Sequence, residues 1–389
     1  MGDAPVSTRV APAPAAGVQA RRVIFIDLGR ALAVTFMLYG HTVSALLAPD
    51  YQVGAWFRVW QFQRGLTSSL FLMLGGFAFS VATSRHWTSH ISWSPALAKR
   101  IRRFGLFILL GYALHIPVSR LADLGNATDE RWRSFLAVDV LQLIGVTFIA
   151  VQLLVLVTRS RLAFTVATLA IASVAILITP YVWTIDWQGV LPPSLAAYLT
   201  PAAGSQFPLL PWVAFVLVGA GFGQLYARWG AAHLVAYANR TLLLPGVMTL
   251  VTAAALRAWP PAIFGTGPPS VVPVEVLTRI GACLLVLGAI AHISRRITRL
   301  PHIFGAVAQE SLLIYFVHLC IVYGSVWNRG LAQIYGASLA PLPTLLFVVL
   351  VILSMVALAW YWNWWKHVAP RGARWTSVAV GGVLLYRLI

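Results

Sequence analysis

Three ionisable residues, Asp27, Arg30 and His41, interrupt an otherwise apolar run from Val23 to Ala48. Successive residues of an α-helix are about 100° and 1.5 Å apart, so Arg30 and His41 fall roughly 20° from one another around the axis and about 16 Å apart along it. Asp27 lies on the same side. A charged group in the middle of a bilayer costs about 2.5 to 3.5 kcal/mol on insertion scales, and when retained it faces a protein interior or a wet cavity. The stripe therefore points at a site. Imidazole titrates near neutrality and can carry a proton, which makes His41 the candidate general base. Asp27 and Arg30, three residues apart, also suit an internal ion pair that holds their helix in place.

The remaining ionisable residues of the apolar segments sort into two layers. If the N-terminus is cytoplasmic, His41, His115, His318 and Asp139 share the extracytoplasmic half, and these four are the candidate catalytic residues. Asp27, Arg30, Arg102, Arg103 and Glu310 form the inner layer, a candidate mouth for an anionic ligand, with Glu310 about 12 Å inward of His318 on one continuous helix. Structural roles stand beside these. His115 precedes Pro117 at a helix end and suits a bond to a freed backbone carbonyl. His318 also suits packing between helices, and Arg102 and Arg103 sit in the basic run from Lys99 to Arg103 that positive-inside bias explains by itself. Gly219 and Gly223, at GxxxG spacing, are expected to let their helix approach a neighbour. Cys283 and Cys320 fall inside apolar segments without CxxC or Cys/His spacing, so neither a disulfide framework nor a metal site is expected.

These residues must be positioned by membrane helices. The chain has 389 residues, 59 % of them hydrophobic and only 10 % charged, with a mean hydropathy of +0.81. That composition excludes a soluble protein. The net charge of +18 does not indicate nucleic acid, because the basic residues are dispersed between apolar runs. Windows of about 20 apolar residues fall near 23–48, 62–84, 104–118, 135–157, 162–180, 207–226, 241–259, 275–293, 303–323 and 341–365. The fold class is an all-α polytopic transmembrane bundle of about ten spans, or eleven if 376–389 also crosses. Most of the 28 basic residues then gather on one side, among them Arg85, Arg100, Arg159, Arg228, Arg295 and Lys366, which places the N-terminus and residue 366 in the cytoplasm. Residues 1–21 lack an apolar signal region and read as a disordered cytoplasmic tail before a single membrane domain, 22–389.

The stretch RVIFIDLGRALAVTFMLYGH, Arg22 to His41, resembles the opening of membrane acyltransferases of the acyltransferase-three superfamily and of the related family around heparan-alpha-glucosaminide N-acetyltransferase. RGLTSSLFLMLGGFAFS from Arg64, VDVLQLIGV from Val138, FPLLPWVAFVLVGAGFG from Phe207 and AQESLLIYFVHL from Ala308 follow in the family's order and resemble the bacterial glucosaminide branch. This resemblance implies transfer of an acyl group, acetyl first of all, from cytoplasmic acetyl-CoA or another acyl-CoA to a hydroxyl or amine of an extracytoplasmic glycan or lipid-linked sugar. The inner basic layer would receive the CoA phosphates; a histidine would deprotonate the acceptor and Asp139 would orient it. The family's usual Arg-Gly is here Gly29, Arg30, Ala31, and the loop from Ala48 to Gln63 holds no histidine, so direct transfer and an acyl-histidine intermediate both stay open. The expected setting is a bacterial inner membrane, with the bilayer, acyl-CoA, the acceptor and a second copy of the chain in a homodimer as partners, and no nucleic acid. The alternative is a secondary transporter of a small anionic or sugar-like solute, which paired broken helices would mark; a scaffold without chemistry is a third reading.

Overall fold

The computed structural model describes residues 23–259, 262–264, 268–297 and 299–389; the expected tail, 1–21, lies outside them. The helices run in the order α1 (Ile24–Leu46), α2 (Gly54–Arg85), α3 (Pro95–Ala113), α4 (Asp129–Leu136), α5 (Val140–Thr158), α6 (Arg161–Val182), α7 (Pro193–Leu199) and α8 (Leu209–Leu225). They continue as α9 (Leu234–Tyr237), α10 (Leu244–Ala258), α11 (Val272–Ser294), α12 (His302–Gln309), α13 (Ser311–Val322), α14 (Leu331–Ile334), α15 (Pro341–Val368) and α16 (Pro370–Tyr386). A two-residue hairpin, β1 (Gly324–Ser325) with β2 (Asn328–Arg329), follows α13.

Each of the ten apolar windows has a helical counterpart. Among the described residues eight helices are long and apolar enough to cross a membrane, and a ninth span arises if α12 and α13 are taken together across a 73° bend. The continuous helix expected over 303–323 is thus broken at Glu310, and the 12 Å separation of Glu310 from His318 along one axis does not hold. The window expected at 104–118 is α3, which begins nine residues earlier and takes Lys99, Arg100, Arg102 and Arg103 into its first turns. Arg100 shows how such a helix is tolerated. Its guanidinium donates to Thr83 Oγ1 at 2.8 Å, to Gln152 Oε1 at 3.3 Å and to the Phe79 carbonyl at 3.2 Å, and lies 4.0 Å above the Phe79 ring.

The segments expected on one side of the membrane meet each other. Arg161 donates to the Ser84 carbonyl at 3.1 Å at one end of the bundle; at the other, Phe207 N–H donates to the Val138 carbonyl at 3.0 Å and Ala48 N–H to the Leu339 carbonyl at 3.0 Å. These contacts gather the connecting segments at two ends of the bundle. The segment 376–389 belongs to α16, which returns the chain from the Lys366 end to the His41 end. There Leu121 N–H donates to the Leu388 carbonyl, and Trp327 Nε1 to the Leu384 carbonyl at 3.0 Å. At 17 residues, α16 is about 25 Å long.

The bundle centre is the crossing of α2 and α8, and it is made by missing side chains. A Cβ on Gly219 would stand 1.9 Å from the Met73 carbonyl oxygen, and one on Gly76 1.9 Å from that of Val216. Gly223 is similarly close to Phe77, so the GxxxG pair does what its spacing predicts. Gly219→Val should push two backbones apart and lower stability by about 3 kcal/mol, the upper range for overpacking. Thermal unfolding in detergent measures it; a variant as stable as the parent would show that the crossing is looser than this.

Candidate active site

Four elements meet at the C-terminal half of α1. His41 is one turn from the end of that helix, and its Nδ1 lies 3.0 Å from the Tyr323 hydroxyl. Tyr323 caps α13 and is placed by Gly324, whose φ of +86° turns the chain sharply into β1. A Cβ there would also meet Gly330 N at 2.7 Å, so both the left-handed backbone and the close approach require glycine.

One turn and two turns back along α13 stand His318 and Tyr315. His318 is fully buried; its ring centre is 5.3 Å from that of His41 and 5.6 Å from that of Tyr315. His318 Nδ1 donates to the Ile314 carbonyl at 2.9 Å. Tyr315 donates its hydroxyl to Asp139 Oδ2 at 3.2 Å. The other oxygen of Asp139 accepts from Val140 N–H at 2.6 Å, and Asp139 N–H donates to Gln142 Oε1 at 3.2 Å. Asp139 is thus the N-cap of α5 in a reciprocal capping box. The Asp and Gln of the VDVLQ element start a helix, and the carboxylate oxygen left over reaches Tyr315 instead of a histidine.

His41, Asp139, Tyr315 and Tyr323 border a cavity of about 950 Å³. Its polar lining includes His41, His115, Asp139, Tyr315, Tyr323 and two arginines, Arg64 and Arg131; its apolar lining includes Phe36, Met37, Phe207 and Trp212. Arg64 donates to Ser44 Oγ at 2.7 Å and lies 5.3 Å from the Trp60 ring centre. The volume suits a drug-sized ligand or a sugar with its reacting partner group.

The structure brings three of the four outer candidates, His41, His115 and Asp139, to the cavity wall, and sets His318 directly behind His41 without lining it. His115 Nδ1 donates to the Gly111 carbonyl at 3.2 Å, the helix-end role that Pro117 suggests. None of the inner candidates lines this cavity. Arg30 donates to Ser311 Oγ at 2.9 Å and feels the charges of Asp27 and Arg103. Arg102 and Arg103 are exposed on α3. Glu310 is buried at the α12–α13 break, where it accepts from Asn363 Nδ2 at 3.0 Å and pairs with Lys366. The lining residue of α1 nearest Arg30 is Phe36, about 9 Å along the axis. Tyr323, Tyr315, Arg64 and Arg131 are cavity residues that the sequence candidates do not include. Arg64 opens a family-like element and Tyr315 lies within another, but tyrosines in apolar windows read as core.

The fold and cavity define a polytopic membrane protein with a cavity of mixed polar and apolar lining at one end of its helix bundle. Residues 22–259 match the family described as heparan-alpha-glucosaminide N-acetyltransferase, catalytic, and the chain belongs to that family. No curated protein matches the chain. Membership implies an acetyltransferase.

Proposed function

We propose that this protein transfers an acyl group, acetyl in the first instance, from cytoplasmic acyl-CoA to a hydroxyl or amine of an extracytoplasmic glycan or lipid-linked sugar across a bacterial inner membrane. The observation that carries the reading is the cavity in which His41 and Tyr323 face Arg64, Arg131 and the Tyr315–Asp139 pair. A sugar hydroxyl is a weak nucleophile, and His41 with the Tyr323 hydroxyl on its Nδ1 takes up its proton as the acyl carbon is attacked. Tyr315, fixed by Asp139, and the cationic wall orient the acceptor. At the opposite end of α1, Arg30 with Arg102 and Arg103 of α3 offers guanidinium groups suited to the phosphates of CoA. The acyl arm then has to pass the small buried side chains of Ala31 and Ala33 to reach His41.

A transporter would gain from two broken helices in matched positions; among the described residues α12–α13 is the one bent pair. Sealed vesicles of both orientations separate the readings. Labelled acetyl-CoA added outside inside-out vesicles should acetylate lumenal glycan, and added outside right-side-out vesicles should not. Binding of acyl-CoA should fall about tenfold to a hundredfold in Arg30→Ala, the loss of a charge-assisted hydrogen bond worth roughly 1.5 to 3 kcal/mol. Because Arg30 also holds Ser311, thermal stability is measured alongside. Undiminished binding in a folded variant removes Arg30 from the donor site, and a wild-type protein that binds no acyl-CoA favours transport.

A further inference from the structure

His318 holds an atom that packing does not explain. Its Nδ1 faces the Ile314 carbonyl at 2.9 Å, and a carbonyl only accepts, so Nδ1 carries the hydrogen and Nε2 of the neutral ring carries a lone pair. That Nε2 is sealed from solvent and has no hydrogen-bond partner. Protein interiors rarely leave a buried acceptor unpaired, and an apolar side chain would fill the same space without desolvation. The ring beside it belongs to His41, 5.3 Å away between centres and tilted by 60°. No hydrogen bond joins the two rings in this structure, but with centres this close a turn of the His41 ring brings a facing pair of nitrogens to about 3 Å, hydrogen-bonding distance. His41 has a nitrogen to offer, because its Nδ1 is engaged by the Tyr323 hydroxyl at 3.0 Å. Tyr323 in turn lines the cavity, whereas His318 does not.

We infer that Tyr323, His41 and His318 form a proton relay from the cavity into the bundle, in which the Tyr323 hydroxyl touches the acceptor and His318 holds the proton during acyl transfer. The inference rests on the acyl-transfer reading and refines it. In the relay Tyr323 donates to His41 Nδ1 and, once the His41 ring has turned toward its neighbour, His41 Nε2–H donates to His318 Nε2. As the acceptor oxygen or nitrogen attacks the thioester carbon, its proton passes to the Tyr323 oxygen. Tyr323 gives its own proton to His41 Nδ1, and His41 gives its Nε2 proton to His318. The carbon–sulfur bond breaks, the thiolate leaves, and the relay runs back to deliver one proton to the thiolate and restore both neutral rings. Both nitrogens of His41 are occupied throughout, so neither attacks the thioester. The acyl group passes directly from sulfur to acceptor, without an acyl-histidine.

The test uses the full chain in lipid with His318→Met, His318→Gln and Tyr323→Phe. Methionine fills the space without a proton acceptor, so His318→Met should be at least as stable to heat as wild type, with kcat lower by about 100-fold, the lower range for loss of a proton-transfer group, and an unchanged KM. Glutamine restores an acceptor that cannot take up the proton, so it should not rescue turnover, as it would if His318 only held His41 in place. Rate against D2O fraction should be bowed in wild type, reporting several protons in flight, and linear in His318→Met and Tyr323→Phe. Independently of turnover, 15N spectra of histidine-labelled protein without substrate should show a coupling through an N–H···N bond that His318→Met abolishes. A stable His318→Met with wild-type kcat, or label recovered on His41 after an acid quench, would overturn the relay. If wild type transfers no acyl group while the coupling is present, the acyl-transfer reading falls and the hydrogen-bonded pair stands; absence of the coupling overturns the relay whatever the activity.

Discussion

His41→Ala should lower acyl transfer by about 10² to 10⁴, roughly 3 to 5 kcal/mol of barrier, while leaving donor binding within about twofold. The separation follows from position. His41 lies in the cavity wall beside Tyr323, about 16 Å along α1 from Arg30, where the CoA phosphates are proposed to bind. A loss confined to turnover indicates an interaction made in the transition state; a loss of binding would indicate a collapsed cavity. His115→Ala is the internal comparison, since His115 shares the wall but spends its Nδ1 on the Gly111 carbonyl. It should change turnover by less than about tenfold, in the range of a lost helix-end hydrogen bond. The assay is transfer from labelled acetyl-CoA to envelope glycan in membranes holding equal amounts of each variant. Near wild-type turnover in His41→Ala, with a large loss in His115→Ala, would move the base to α3.

Hydropathy carried most of the fold because each apolar window corresponds to a helix whose backbone must satisfy itself in lipid. It could not show the break at Glu310, since residues on both sides are as apolar as a straight span. One carboxylate between Gln309 and Ser311 gives no sign of which way the chain turns. The position of α3 was hidden for the opposite reason: four cations in its first turns look like loop until Arg100 is seen held by Thr83, Gln152 and Phe79. At the site, His41 was legible because an imidazole in an apolar helix is costly. Asp139 was legible as a carboxylate at the start of an apolar window, but its work as N-cap and Tyr315 acceptor depends on α5 starting at Val140. Tyr323 was not legible at all; its importance comes from Gly324 bending the chain back over His41, a tertiary event with no periodic signature.

The second large effect is expected far from the chemistry, at the break itself. Glu310 is buried and its carboxylate is held by Lys366 of α15 and by Asn363 Nδ2 at 3.0 Å. The next residue, Ser311, starts α13 and receives Arg30 of α1 at 2.9 Å. The ion pair thus fixes the point where α1, α15 and the bent helix meet, and so the direction in which α13 presents Tyr315, His318 and Tyr323. Lys366→Met leaves the carboxylate without its cation. Removing one member of a buried pair typically costs 3 to 5 kcal/mol; because Lys366 is partly solvated, about 3 kcal/mol is expected here. Adding Glu310→Gln should recover most of that loss, since the amide oxygen still accepts from Asn363 and no charge is stranded. Thermal unfolding of wild type, both single variants and the double variant in one detergent gives the coupling directly. Acyl transfer should fall with stability in Lys366→Met and return in the double variant, because the histidines and tyrosines are untouched. A Lys366→Met protein as stable as wild type would show that Asn363 alone keeps the carboxylate satisfied; a stable double variant that stays inactive would give Lys366 a role toward the donor that its pairing with Glu310 does not explain.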